Sequence, residues 1–171
     1  MGNRKYELVA DKTIEVFGRK LFRIRALNSF GSVNAGDEGG YVESESNLSD
    51  KGNAWVYGDA WVYGNARVYG NAQVYGDARV CGDAQVCGDA QVCGDARVYE
   101  RSAIFLASMV GNENGTLTVF RCKSGVGVTR GCFFGTPAEF LAAVDQRYGA
   151  DSKIGREYHL LMQVALSRVS E

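Results

Sequence analysis

Three cysteines, Cys81, Cys87 and Cys93, stand six residues apart. Thiolates at a regular spacing can hold a zinc ion. A second set, Asp59, Asp77 and Asp95, recurs every eighteen residues, with Asp83 and Asp89 between, and carboxylates in a row can hold calcium. A third set is aromatic and cationic: Trp55, Tyr57, Trp61, Tyr63, Tyr69, Tyr75, Arg79, Arg97 and Tyr99. Such residues anchor partners by burying ring area and by pairing guanidinium groups with acceptors or rings. The single imidazole, His159, is the only ordinary general base near neutral pH.

The element that must position these groups is a repeat. Val56, Val62, Val68, Val74, Val80, Val86, Val92 and Val98 recur every six residues, and Ile104 and Val110 continue the period. Each unit reads Gly, Asp or Asn, Ala, a variable residue, Val, then Tyr or Cys (the last ends Tyr99-Glu100). Such a short fixed period is the signature of a solenoid. Alternation within Ala66-Arg67-Val68-Tyr69 turns Ala and Val inward and Arg and Tyr outward. The Gly-Asp or Gly-Asn that follows is a corner, because these residues tolerate positive φ. A four-residue side and a two-residue corner make one face of a prism, and three faces close a coil of eighteen residues. Val56, Val74, Val92 and Val110 then stack, as do Val62, Val80 and Val98, and Val68, Val86 and Ile104. Upstream, Val42 and Leu48 keep the period, and two extra residues near Lys51 delay Val56.

This geometry reorders the chemistry. Cys81, Cys87 and Cys93 fall on three different faces, pointing outward, and cannot share one ion within a chain or pair as a disulfide. They read as small stand-ins for Tyr. The aspartates read as corner residues, and His159 as a helix surface or packing residue. No catalytic residue, metal site or cofactor is expected. The outward rings and arginines are the candidate binding surface, and a ring of Tyr and Trp on a flat-sided solenoid points to a homotrimer.

Flanking the array (36–110) are two smaller units. Residues 1–35 hold short alternating runs at Tyr6–Val9, Ile14–Phe17 and Leu21–Leu27, expected as strands that cap the open end. Lys20, Arg23 and Arg25 crowd the last of these, as a solvated face or an anion contact. Residues 111–171 read as a ββαα module docked on the last coil and covering Phe105, Leu106 and Met109. Its strands are Thr116–Cys122 and Val126–Phe133. Its first helix starts at Thr136-Pro137 with Glu139 at the third helical position, and its second runs from about Arg156 to Arg168.

The bulk figures agree with a folded, non-basic chain. Of 171 residues, 19 are basic and 20 acidic, so no field for nucleic acid exists. Twenty-two glycines beside one proline are positional, not low-complexity. Five cysteines with no apolar run of signal length point to a reducing cytosol, and no span for a membrane is found.

The repeat resembles the hexapeptide left-handed β-helix, in which an aliphatic residue is followed four positions later by a small one: Val62 with Ala66, Val68 with Ala72, through Val98 with Ser102. Left-handedness is what the resemblance implies, and the expected architecture is a mainly β solenoid of about four coils. Tyr or Cys after the aliphatic residue departs from that family's usual Gly or small polar residue. Many of its members are acyltransferases and a few are zinc carbonic anhydrases. Both need histidines that this array lacks, and the acyltransferase's inserted loop is absent between Val56 and Val110. The whole chain is similar to phage and prophage proteins labelled polymer-forming or acyltransferase-like. The tail carries that likeness in Arg130-Gly131-Cys132-Phe133, Gly135-Thr136 and Glu157-Tyr158. The resemblance implies a viral protein in the host cytoplasm, acting on a host protein or a small nucleotide signal, with an acyltransferase and a structural virion component as rivals.

Overall fold

The computed structural model describes residues 4–169. Two long strands open the chain, β1 (Tyr6–Val16) and β2 (Arg19–Ala26), followed by β3 (Glu38–Val42). Eight two-residue strands follow: β4 (Trp55–Val56), β5 (Trp61–Val62), β6 (Arg67–Val68), β7 (Gln73–Val74), β8 (Arg79–Val80), β9 (Gln85–Val86), β10 (Gln91–Val92) and β11 (Arg97–Val98). The C-terminal unit holds β12 (Ile104–Val110), β13 (Gly115–Cys122), β14 (Gly125–Arg130), β15 (Phe133–Gly135), α1 (Pro137–Tyr148) and α2 (Lys153–Val169).

The short strands form a β-solenoid. Partners lie eighteen residues apart and run parallel: Val56 beside Val74 beside Val92, Val62 beside Val80 beside Val98, and Val68 beside Val86. The first face is therefore β4, β7 and β10, the second β5, β8 and β11, the third β6 and β9. Each coil donates to the next, as where Trp55 N–H meets Ala72 O at 3.0 Å and Tyr57 N–H meets Val74 O at 2.8 Å. Every repeat Val from Val56 to Val98 and every repeat Ala from Ala54 to Ala96 is fully buried. Each Val removed from water contributes about 1.5–3 kcal/mol before entropy is counted. At each corner the glycine has positive φ and the Asp or Asn after it does not, a turn that favours Gly at its first central position.

Val42 sits beside Val62 and Leu48 beside Val68, so a partial turn precedes the perfect array and the extra residues fall between Leu48 and Val56, as their spacing requires. With that partial turn the solenoid makes a little over three turns. Ile104 and Val110 do not extend it. β12 instead pairs antiparallel with β13, and Val110 joins the core of the C-terminal unit. The six-residue apolar rhythm persists there because a strand of any pairing alternates its faces. The glycine corners, which close the coil, have already been replaced by Glu100-Arg101-Ser102.

The two N-terminal runs merge into one strand with a bulge between Val9 and Thr13, and Phe17-Gly18 turns it into β2. β2 pairs with β3, and β3 with β5, so the hairpin extends the second face of the solenoid as a six-stranded sheet. The partial turn donates to the carbonyls of Ala60, Val62 and Val68, and side chains supply donors to carbonyls at this end that it does not reach. Lys5 Nζ donates to Ala54 O at 2.9 Å and lies over the Phe30 ring at 4.9 Å. Asn47 Nδ2 donates to Gly64 O at 3.0 Å and Ala66 O at 2.9 Å, and Tyr6 Oη donates to Leu48 O at 2.8 Å. Both Lys5 and Asn47 are buried.

Burial pushes the Lys5 ammonium down to about 8, against the pull of Asp50. The unfolded chain then holds more protons than the folded one between about pH 8 and the ordinary lysine value of 10.5, so this group makes stability rise with pH across that window. The thiols of Cys81, Cys93 and Cys122, all raised by burial, act in the opposite sense. A comparison with Lys5→Met isolates the amine. Urea unfolding should show wild type gaining about 2 kcal/mol on the variant between pH 7 and pH 10. A difference that does not change with pH would contradict a Lys5 ammonium lowered by burial in this cap.

At the other end the C-terminal sheet closes the last coil. Thr118 Oγ1 accepts from Gln91 N–H at 3.3 Å, its cross-strand partner Thr129 donates to Gln91 O at 2.7 Å, and Lys123 N–H donates to Asp95 O at 3.1 Å. The expected pair of strands is part of a four-stranded sheet, with β12 and β15 added at its edges. α1 has the expected capping box between Thr136 and Glu139, and α2 begins at Lys153, one turn earlier than the sequence indicates. Phe105 and Leu106 pack inward, whereas Met109 lies 73% exposed at the bulge of β12, with φ of +62°.

Candidate binding surface on the second face

The outward positions of the solenoid do not all meet solvent. Trp55 points away from the Val column, yet it is 1% exposed because Tyr6 and Phe30 cover it edge-on at 6.2 and 5.4 Å between centroids. Tyr63 is likewise buried, under Val16 and Leu21 of the hairpin. These two leave the candidate surface. Tyr57, Trp61 and Tyr75 are half-buried, as are Arg79 and Arg97, and Tyr69 and Tyr99 are exposed. The correction has one cause: strand alternation tells which side faces the Val core, but not where a terminal unit lies on the opposite side.

The cysteines follow the same logic. Cys81 is packed with Tyr63, Val16 and Leu21, and Cys93 with the last coil's cover. A tyrosine at either place would collide with the covering unit. Each thiol neighbours the hydroxyl of the tyrosine one coil earlier, Tyr63 with Cys81, Tyr69 with Cys87 and Tyr75 with Cys93. All five cysteines are free thiols. Burial raises Cys81 and Cys93, and drives Cys122 up to about 12, so none of the three is poised as a thiolate.

The second face brings the remaining cationic and aromatic residues into one column. Registers place Arg23 beside Tyr41, Tyr41 beside Trp61, Trp61 beside Arg79 and Arg79 beside Arg97. Five strands at about 4.8 Å spacing make a stripe about 19 Å long. The Arg23 guanidinium lies 4.6 Å from the Tyr41 ring centroid and 3.3 Å from Asp59. Arg79 lies 4.2 Å from the Trp61 centroid. Arg97 donates to the carbonyls of Asp77, Asp95 and Ala96 at 2.8–3.0 Å. Among the described residues, no carboxylate lies within ion-pair distance of Arg79 or Arg97. Asp59, Asp77 and Asp95 form one edge of the shallow groove and Lys123 stands at its end. Ring stacking and backbone contacts thus hold two guanidinium planes in place while their charge remains unpaired, an arrangement suited to receiving acceptors from outside.

Arg79, Arg97 and Trp61 were legible from the repeat. Tyr41 was legible in principle, since it precedes Val42 as Trp61 precedes Val62. Lys123 carries no such signal, because it reaches the groove from the C-terminal sheet. The tail motif lies elsewhere. Arg130 Nε donates to Tyr158 Oη at 3.0 Å and its guanidinium to Val110 O at 3.2 Å, while Glu157 accepts from Gly111 N–H at 3.1 Å. These residues lock α2 to the β12–β13 turn, with Cys132 exposed beside them. His159 Nε2 meets Asp145 Oδ1 at 2.7 Å and joins the two helices.

No helix among the described residues is long and apolar enough to cross a membrane. No curated protein matches this chain. Residues 60–73, 72–88 and 90–102 match the family model of the YdcK β-solenoid repeat, so the central array is similar to that repeat and its stacked coils are those of a β-solenoid.

Proposed function

We propose that this is a non-enzymatic β-solenoid binding protein, assembled as a homotrimer, that uses the second-face column to hold a protein partner. The observation that carries the reading is the Trp61–Arg79–Arg97 stripe, with its unpaired guanidinium groups and a parallel edge of Asp59, Asp77 and Asp95. A shallow surface of mixed charge complements another protein surface better than it complements a polyanion, which the aspartates repel. Likeness of the whole chain to phage and prophage proteins supports a host component in the cytoplasm as the partner, and antagonism of a defence system as the use. The acyltransferase and virion readings remain the rivals.

A pull-down from infected cells, with mass spectrometry of proteins and small molecules, tests this. Wild type should retain a host protein, and Trp61→Ala/Arg79→Ala should lose it by at least about tenfold, since two such anchors together contribute more than about 1.4 kcal/mol. Retention of a nucleotide instead would overturn the protein-partner reading. The enzyme rival is tested by incubating the protein with acetyl-coenzyme A and amine acceptors. Free-thiol release that disappears in His159→Ala would restore it.

A further inference from the structure

The C-terminal unit holds a cavity of about 250 Å³ that lies apart from the second-face column. It is bounded by the tail segment Arg130-Gly131-Cys132-Phe133, the two helices and the turn that carries Glu113. Its walls are largely apolar. Phe140 packs edge-on against both Phe133 and Tyr158, each at 5.3 Å between centroids, and Val144 lies beside them. The charged groups that line it are two cations and one anion. The Arg130 side chain is 12% exposed and fixed, with Nε donating to Tyr158 Oη at 3.0 Å and Nη2 to Val110 O at 3.2 Å. Gly115 leaves room for this guanidinium, which a methyl at that position would overlap. Tyr158 is buried, and its hydroxyl accepts from Arg130 while its own proton meets no acceptor among the described residues. Arg147 is exposed at the rim. The one anion of the lining, Glu113, is 59% exposed and spans the two arginines loosely, 3.8 Å from Arg130 and 3.4 Å from Arg147. Glu157 lies outside the lining and is engaged by Gly111 N–H at 3.1 Å.

We propose that this cavity binds a small carboxylic acid that carries one apolar ring. The ring lies among Phe133, Phe140 and Val144. The carboxylate takes the place of Glu113 between Arg130 and Arg147, and the Tyr158 hydroxyl supplies a further donor. A guanidinium donates and never accepts, so two of them with a spare hydroxyl proton call for an acceptor. The chain's own carboxylate already stands between them, at distances well beyond the roughly 2.7–2.9 Å of a strong charged hydrogen bond. An exposed pair of that kind contributes little and yields readily to a closer one. Size sets the other limit, because pockets for larger ligands begin at about 300 Å³. The site depends neither on the column's partner nor on the trimer.

Calorimetric titration of the full chain with phenylacetate, phenylacetamide and phenyl phosphate tests the assignment. Cys132 reports the place, since it is exposed and lines the cavity, and its alkylation by iodoacetamide is followed by mass spectrometry. Phenylacetate should bind saturably and slow Cys132 alkylation in step with saturation. The neutral amide should bind about tenfold more weakly, as expected for the loss of one charge-assisted hydrogen bond. Arg147→Gln should weaken phenylacetate by a similar factor and Glu113→Gln should tighten it. Both variants should keep the wild-type circular dichroism, because both side chains are exposed. Equal affinity for acid and amide, binding that leaves Cys132 alkylation unchanged, or no binding of phenylacetate at millimolar concentration would overturn the site. Tighter binding of phenyl phosphate would overturn the carboxylate assignment.

Discussion

Val80→Asp should prevent the chain from folding, whereas Cys81→Ser should leave it folded with a modest loss. The two residues are adjacent, but Val80 is 0% exposed between Val62 and Val98, with no polar group in the column to receive a carboxylate. An uncompensated charge in such a place costs several kcal/mol, against a total stability of about 5–15 kcal/mol. Cys81 lies on the opposite side of the strand. It is not a surface residue, because Val16 and Leu21 cover it, so a serine there costs about 1 kcal/mol for a partly buried hydroxyl. The Tyr63 hydroxyl beside it offers a partner. Thermal unfolding followed by circular dichroism distinguishes the variants, and similar melting temperatures would mean that the strand faces have been assigned in the wrong phase.

The second large effect separates two glycines that the repeat makes look identical. Gly82 and Gly88 both have φ of +62°. Alanine in the left-handed region costs about 1–2 kcal/mol at either site. At Gly88 the added methyl meets nothing within 4 Å, so Gly88→Ala should lose only that amount. At Gly82 it would overlap the carbonyl oxygen of Tyr99 in the next coil. Relief requires the coils to separate, which strains the neighbouring bond from Cys81 N–H to Val98 O at 2.9 Å. Gly82→Ala should therefore cost more than about 4 kcal/mol, the range reserved for severe packing or backbone conflicts. Equal losses for the two variants would show that the last coil does not stack on the second as described.

Why the first contrast was legible in sequence and the second was not is a matter of range. A period of six with Ala and Val at fixed phase determines the coil, its three faces, the inward columns and the corner glycines, because steric alternation and turn preference act within a few residues. The same local physics located the capping box at Thr136 and the delay before Val56. It could not decide where the array stops. Ile104 and Val110 keep the phase of an inward residue, but β12 has a better partner in β13, and only the competition between two sheets settles that.

What lies outside the coil was decided by tertiary structure alone. Trp55, Tyr63, Cys81 and Cys93 read as outward from alternation and are outward from the Val core, yet two terminal units dock on them and take them from solvent. The binding column follows the same division. Its Trp61, Arg79 and Arg97 come from the repeat, whereas Arg23, Tyr41 and Lys123 reach it through sheet pairings between segments far apart in the chain. Sequence periodicity records which side of a strand a residue occupies. Docking of one unit on another depends on the fit of whole surfaces, and that fit has no period.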